Sequence, residues 1–249
     1  MLTTRNVTIA ALLLIGAVFA VTGALPQDPA YHAFADTRRY LGVANFWNVV
    51  TNVAFLVTGA WGLRVALRLQ DGAGRVAYLV FFAGLVLTAL GSSWYHLAPD
   101  NLSLGWDRLA MTIAFAGLFP AVLAEYVSDR LARTMLAVML VAGPASVAYW
   151  LWTESTGAGD LRPYAIVQFV PMLIILVILV AGKQRSDVST AFYWLLAIYF
   201  AAKIFEAQDA PTLDLSGISG HSVKHLLAGV AAVPLVLALR RRTAGGPYL

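Results

Sequence analysis

The sequence predicts an all-α integral membrane protein, built as a polytopic bundle of transmembrane helices. Its 249 residues are 60% hydrophobic, with a mean hydropathy of +0.74. Only 12% of the residues are charged, against about 25% in soluble domains. The apolar residues are gathered in stretches long enough to cross a bilayer. We therefore treat residues 1–249 as a single integral membrane domain.

Eight apolar stretches are long enough, or nearly long enough, to be spans. They lie near residues 7–25, 46–68, 76–97, 107–127, 132–152, 163–182, 190–208 and 221–239. Short segments rich in turn-forming residues separate them, including Gly182-Lys183-Gln184. The first stretch, with its loop to residue 30, could be a signal peptide. Its apolar run is long for that role, and we expect a retained extra helix.

The positions of Lys and Arg predict the orientation in the membrane. With the N-terminus inside, the inner loops hold Arg5, Arg64, Arg68, Arg75, Arg130, Arg133, Lys183, Arg185, Arg240, Arg241 and Arg242. The outer loops then hold Arg38, Arg39, Arg108 and Arg162. Because basic residues concentrate in cytoplasmic loops, we expect both termini to be cytoplasmic. We place the protein in a bacterial inner membrane.

Composition also excludes several kinds of function. The chain has no cysteine, which excludes disulfides, thiol catalysis and cysteine-ligated metals. Its net charge of +4 comes from short loops, so we expect no nucleic-acid partner. No obligate protein partner is evident, and membrane lipid is the expected partner.

A group of polar residues is predicted to meet at the outer end of the bundle. His96 ends the third span, whereas His221 and His225 open the eighth; we call these three the histidine group. His221 and His225 share a helix face, as do Ser92 and His96, because each pair is four residues apart. Three neutral imidazoles with one open position form a common catalytic zinc site. Asp107, which opens the fourth span, could move protons, and the Ser92 hydroxyl could stabilise an oxyanion.

Each of these residues also has a simpler interpretation. A lone histidine at a membrane interface is often only an amphipathic side chain. Asp107 could cap the fourth span, and Ser92 could be a small packing residue. Their placement on one level favours a functional site, because ionisable groups at membrane depth are costly and usually functional.

A second polar cluster is predicted near the same level. It includes three residues on one face at the start of the second span, Asn45, Asn48 and Asn52. Hydrogen bonds between helices are their simplest role, while lining the site or binding a hard cation are alternatives. Lys203 and Glu206, three residues apart, predict an ion pair. Glu206 and Asp209 also approach the outer level, so a role in the site is open.

At this point the residues resemble a known family. Gly91-Ser92-Ser93-Trp94-Tyr95-His96, then Asp107, then His221-Ser222-Val223-Lys224-His225 is similar to the alkaline ceramidase family. That family belongs to the CREST group of membrane hydrolases and receptors. The segment Asn-Phe-Trp-Asn-Val-Val-Thr-Asn at residues 45–52 also resembles its N-terminal motif, Glu-Phe-Trp-Asn followed by Ser-Asn. The resemblance covers roughly residues 44–239.

The resemblance implies a seven-helix bundle around a zinc ion held by the histidine group, with Ser92 and Asp107 at the catalytic water. The first span would lie outside this core. It further implies hydrolysis of the amide bond of ceramide-like lipids, giving a fatty acid and a sphingoid base. The family's glutamate for regulatory calcium is replaced by Asn45, and only Asp28 and Asp36 lie upstream, at unmatched spacing. We therefore do not expect calcium dependence.

Two other classes of function stay open at this stage. A zinc-stabilised receptor, resembling the progestin and adiponectin receptor branch of the same group, would bind metal with little hydrolysis. A transporter or channel could line its path with Lys203, Glu206 and the three asparagines. The lack of an internal repeat and of paired broken helices argues against the transporter.

Overall fold

The computed structural model describes residues 4–181 and 186–245. Over these residues the chain forms eleven α-helices, one short 3-10 turn at Pro29–His32 and no β-strand. The helices are α1 (Thr4–Val21), α2 (Phe46–Val50), α3 (Val53–Ala66), α4 (Ala73–Leu97), α5 (Asn101–Tyr126), α6 (Asp129–Ser155), α7 (Arg162–Ala181), α8 (Ser189–Ala207), α9 (Asp209–Ser216), α10 (Gly220–Val230) and α11 (Val233–Thr243). The all-α prediction is confirmed.

Seven segments of the described chain are long and apolar enough to cross a membrane. Five are the single helices α4 to α8, α2 and α3 together form another, and α10 with α11 forms the last. The helix α1 packs outside them against α7. The predicted seven-helix core with an extra N-terminal helix is therefore confirmed. The predicted loop at Gly182-Lys183-Gln184, together with Arg185, lies outside the described residues.

The central helix is α5, which packs against α4, α6 and α7. It begins at Asn101, six residues before the predicted start of the fourth span at residue 107. A capping box explains the earlier start: the Asp100 carboxylate accepts from the Ser103 backbone N–H, and the Ser103 hydroxyl accepts from that of Asp100. The predicted boundary was wrong because the apolar run begins later than the capped helix.

Two loops fold over the end of the bundle where α4 stops and α10 begins. The α1–α2 loop is held to the α8–α10 loop by a hydrogen bond from Arg38 Nη2 to the Gly217 carbonyl oxygen, at 2.7 Å. The Ala35 backbone N–H donates to Asp209 Oδ2 at 3.0 Å. The Arg38 guanidinium beside Asp36 holds the pKa of that carboxyl below its ordinary value. These contacts tie the first loop across the helix ends.

Candidate metal centre

The three predicted histidines meet at one end of the bundle, which we call the histidine end. His96 lies in the last turn of α4, and His221 and His225 lie in the first two turns of α10. Their ring centroids are 4.8 to 4.9 Å apart in all three pairs. Each ring offers one nitrogen such that the three atoms lie within 4.8 Å of one another. All three side chains are buried, so the group could hold a metal ion.

The start of α10 is fixed by a cap, a glycine and a carboxylate. Ser219 is the N-cap, and its hydroxyl accepts from a backbone N–H of the first turn. A Cβ at Gly220 would lie 2.1 Å from the carbonyl oxygen of Phe205, so only glycine lets α10 begin this close to α8. Asp209 Oδ1 accepts from the His221 backbone N–H at 2.8 Å. Together these contacts set the direction in which α10 carries its histidines.

Thr51 determines the tautomer of His225. Its hydroxyl donates its single proton to the carbonyl oxygen of Trp47 at 2.7 Å. It can therefore only accept from His225 Nδ1, which lies 3.1 Å away. His225 Nε2 is left with a free lone pair, 3.2 Å from Nε2 of His96. Since two nitrogens bound to one tetrahedral zinc at about 2.0–2.1 Å are about 3.3 Å apart, this spacing fits a shared metal.

Lys224 is a cation inside this site that the sequence analysis did not single out. Its ammonium lies 3.3 Å from Nε2 of His221 and 3.1 Å from Oε1 of Glu206. An ammonium that donates to Nε2 competes with a metal for the same lone pair. Binding of a metal through that nitrogen therefore requires Lys224 to turn to Glu206 alone. The signal was present in the sequence, because His221 and Lys224 are three residues apart on a helix.

Ser92 and Asp107 are brought to the histidine group by close contact between α4 and α5. Ser92 Oγ lies 3.5 Å from Nε2 of His225. A Cβ at Gly91 would lie 2.8 Å from the carbonyl oxygen of Trp106 and 3.2 Å from Cα of Asp107. The missing side chain at Gly91 thus lets α5 place Asp107 against the turn of α4 that carries Ser92.

Asp107 does not cap its helix, because Asp100 does so. The cap interpretation of Asp107 is therefore wrong. Asp107 is buried in the second turn of α5, and its Oδ1 has no hydrogen-bond partner within the described residues. A buried carboxylate oxygen without a partner is costly, which is unusual for a residue with a structural role alone.

The three asparagines lie beside the histidine group and form hydrogen bonds that connect neighbouring segments. Asn45 Nδ2 donates to the carbonyl oxygen of His96 at 2.8 Å. Asn48 Oδ1 accepts from the hydroxyl of Ser222 at 2.7 Å. Asn52 Nδ2 donates to the carbonyl oxygen of Asn48 at 2.9 Å. The contacts of Asn45 and Asn48 are those expected of hydrogen bonds between helices.

Glu206 and Asp209 lie beside the histidine group in different roles. The predicted ion pair between Lys203 and Glu206 is present, at 2.5 Å. Glu206 also pairs with Lys224, so its carboxylate lies between two ammonium groups. The Asp209 carboxylate accepts two hydrogen bonds, one from the backbone N–H of Ala35 and one from the backbone N–H of His221 in α10. It therefore fastens the first loop to the helix that carries two of the histidines.

Phe34 in the first loop was not predicted as part of the site. Its ring centroid lies 4.6 Å from that of His96 and 5.0 Å from that of His221. The ring is buried and covers both imidazoles on the loop side. No periodic pattern marks this residue, because it lies in an irregular segment.

A cavity of about 490 Å³ extends from the site into the bundle. Ser92, Asp107 and His225 line its polar end, and apolar side chains as deep as Leu118 line the rest. Phe169 of α7, which is 47% exposed, also lines the cavity. The cavity therefore includes side chains that the bundle does not fully enclose.

The fold and the buried histidine group define a helical membrane protein with a candidate metal centre at one end. A family model described as Ceramidase matches residues 39–243, which include all seven candidate spans. The chain belongs to the ceramidase family, so the family predicted from the resemblance is confirmed. No curated protein matches the chain.

Proposed function

We propose that this protein is a zinc-dependent membrane hydrolase that cleaves the amide bond of ceramide-like lipids into a fatty acid and a sphingoid base. Membership of the ceramidase family supports the reaction class. The observation that carries the proposal is the convergence of the histidine group with Ser92 and Asp107 at the polar end of a largely apolar cavity of about 490 Å³.

The donor set of the histidine group supports zinc as the metal. Three imidazoles without a thiolate match the three-histidine type of catalytic zinc site, and the Thr51 contact leaves Nε2 of His225 free for it. When bound, zinc would polarise the amide carbonyl and lower the pKa of a coordinated water to about 7. The proposal includes no calcium, because Asn45 binds a backbone carbonyl and Asp36 pairs with Arg38.

Asp107 and Ser92 have complementary roles in the proposed reaction. The free Oδ1 of Asp107 can accept a proton from the attacking water and deliver it to the leaving nitrogen. The Ser92 hydroxyl, beside His225, can donate to the oxygen on which negative charge develops. The apolar walls of the cavity would hold the lipid tails and exclude bulk water from the amide.

The proposed topology places both termini in the cytoplasm and the histidine end near the extracytoplasmic face of a bacterial inner membrane. The whole chain would form one membrane domain, with its catalytic core at residues 44–239. Support comes from the basic residues near the other end of the bundle, such as Arg64, Arg133 and Arg240, because cytoplasmic segments are enriched in positive charge.

The proposal is tested with the purified full-length chain in lipid nanodiscs, by metal analysis combined with a ceramide hydrolysis assay. We expect about one zinc per chain, hydrolysis that is lost on prolonged chelation, and recovery when zinc is restored. Unchanged hydrolysis by metal-free protein would overturn the metal requirement. Stoichiometric zinc without hydrolysis of any lipid amide would favour the receptor alternative. Solute flux in liposomes that survives metal removal would favour a transporter.

A further inference from the structure

The polar end of the cavity contains a buried arginine without a carboxylate partner. Arg108 lines the cavity and is only 7% exposed. Its one described hydrogen bond runs from Nη2 to Oε1 of Gln27, a neutral amide, at 2.6 Å. Its Nη1 is buried and has no partner among the described residues. Arg108 takes part in none of the ion pairs among the described residues.

Aromatic rings hold this guanidinium in place. Its Cζ lies 4.2 Å from the ring centroid of Trp150, 5.0 Å from that of Tyr164 and 5.7 Å from that of Tyr31. Such contacts stabilise the positive charge but do not accept hydrogen bonds from the guanidinium N–H groups. Glu154 lies behind Trp150 and accepts from its indole N–H at 3.1 Å, and it makes no ion pair with Arg108. The guanidinium is therefore oriented but not neutralised.

The charges that line the cavity balance one another only without a metal. The lining includes three carboxylates and three cations, namely Asp28, Asp107, Glu206, Arg108, Lys203 and Lys224. Both lysines pair with Glu206, whereas Arg108 is unpaired. A divalent ion on three neutral imidazoles adds two positive charges to this cavity. The loaded cavity thus has an excess of positive charge that an anionic ligand would compensate.

We propose that the cavity takes a lipid amide whose head group carries an oxyanion, as a carboxylate, sulfonate or phosphate, and that Arg108 binds this group. The inference rests on the proposed function and narrows its substrate class to ceramide-like lipids with an anionic head group, for which N-acyl amines with an anionic group are simplified analogues. A planar guanidinium can bind two oxygens of such a group at once. Arg108 directly follows Asp107 on α5, so the oxyanion and the scissile amide belong to the same end of the lipid.

A matched pair of substrates tests the inference. N-Oleoyl taurine and N-oleoyl ethanolamine differ only in a sulfonate against a hydroxyl. We expect kcat/KM of the wild-type protein to be about 30-fold higher for the taurine amide, as for a charge-assisted hydrogen bond. Arg108→Gln should abolish this preference and keep kcat/KM for the ethanolamine amide within about threefold. Turnover of the ethanolamine amide also shows that the variant is folded.

Lys203→Met is the matched control, because it removes a cation from the same cavity whose charge is already paired with Glu206. This variant should keep the preference for the taurine amide. Loss of the preference in Lys203→Met to the same extent as in Arg108→Gln would overturn the role of Arg108. If Arg108→Gln does not fold, Arg108→Lys keeps the charge without the planar fork. It should show a reduced preference, and an unchanged preference would overturn the subsite.

Binding to the metal-free protein separates this inference from the proposed function. The affinity of N-oleoyl taurine, measured in nanodiscs, should be about tenfold lower for Arg108→Gln than for wild type. Equal kcat/KM for both amides, unaffected by Arg108→Gln, would overturn the anion subsite and leave amide hydrolysis intact. Binding that depends on Arg108, without hydrolysis of either amide, would support the subsite and overturn the proposed reaction.

Discussion

The two ends of the bundle both gather polar side chains, which are partly buried at one end and buried at the histidine end, and their hydrogen bonding differs. At the end opposite the histidine group, Arg242 donates to both carboxylate oxygens of Glu125, at 2.7 and 3.0 Å. Its Nε donates to Asp187 at 2.9 Å. The hydroxyl of Tyr78 adds another bond to Glu125, at 2.9 Å. We call these four residues the arginine network, in which each charge has an opposite charge as its partner.

The histidine end leaves several of its polar atoms without partners. Five buried side-chain atoms lack a hydrogen-bond partner in the described ranges, and four of them belong to residues at or beside this end, Asn52, His96, Asp107 and Arg108. A paired network stabilises the folded state, whereas buried groups without partners destabilise it. The comparison indicates that the arginine network serves stability, while at the histidine end Asp107 and Arg108, which line the cavity, keep polar atoms available for a ligand.

The largest expected effect comes from His96→Ala. The two remaining histidines cannot complete the metal shell, so bound metal should fall to about 0.1 per chain or less, and hydrolysis should become undetectable. Metal analysis and a lipid amide assay measure both quantities. His32→Ala is the control, because that ring bonds Tyr95 and Asn101 and should not affect the metal. Full metal content in His96→Ala would contradict the assignment.

Asp107→Asn should separate activity from stability. The variant loses the group that moves protons, so kcat should fall about 10²–10⁴-fold while the metal stays bound. The melting temperature should stay equal or rise, because the change removes a buried charge that has no partner. Steady-state kinetics and thermal unfolding in detergent give the two values. A loss of stability with normal kcat would contradict this assignment, because Asp107 would then stabilise the fold and not act in the reaction.

Glu125→Gln should have the opposite effect. Arg242 would lose its two-oxygen partner, and the free energy of unfolding should fall by about 2 kcal/mol. Hydrolysis per folded molecule should be unchanged, because the site lies at the other end. Denaturant unfolding and turnover per mole of metal check these expectations. Normal stability in this variant would show that the arginine network is not a stabilising feature.

The smallest expected effect is the pH dependence due to Asp187. The Arg242 guanidinium beside it holds the pKa of this carboxyl below its ordinary value of 3.8. Its stabilising contribution is therefore complete above about pH 5 and is lost as pH falls through the lowered pKa. Asp187→Asn should reduce the fall in melting temperature between about pH 6 and pH 3, by an amount equivalent to about 1 kcal/mol or less. Asp214→Asn, at an exposed position of α9, is the control.

The sequence was sufficient to predict the membrane spans and to predict that the three histidines lie close together, since apolar length and residue spacing are local properties. The distribution of basic residues among the loops is enough to predict that His96 and His221 lie on one level. The start of α5 was mispredicted, because the capping box at Asp100 precedes the apolar run. The helix α9 was also missed, since its residues have no apolar periodicity.

The rest of the site depends on how loops and side chains fold across the helix ends. From the sequence, Arg108 was counted among the basic residues of the outer loops. In the structure it is buried among aromatic rings from three segments. Asp209 accepts hydrogen bonds from backbone groups of the first loop and of α10, which are distant from each other in the sequence. Such contacts follow from tertiary packing, which residue spacing along a single helix does not determine.

The ring of Phe34 has a kinetic consequence. It lies over His96 and His221 in a loop that is fastened at Asp209 and Arg38. A metal ion can pass on that side only when the hydrogen bonds that hold the loop at Asp209 and Arg38 break. Metal exchange by this route should therefore be slow compared with diffusion. An ion that entered on this side would then be held until the loop opened again, so metal exchange through the loop should be slower than exchange through the cavity that His225 lines.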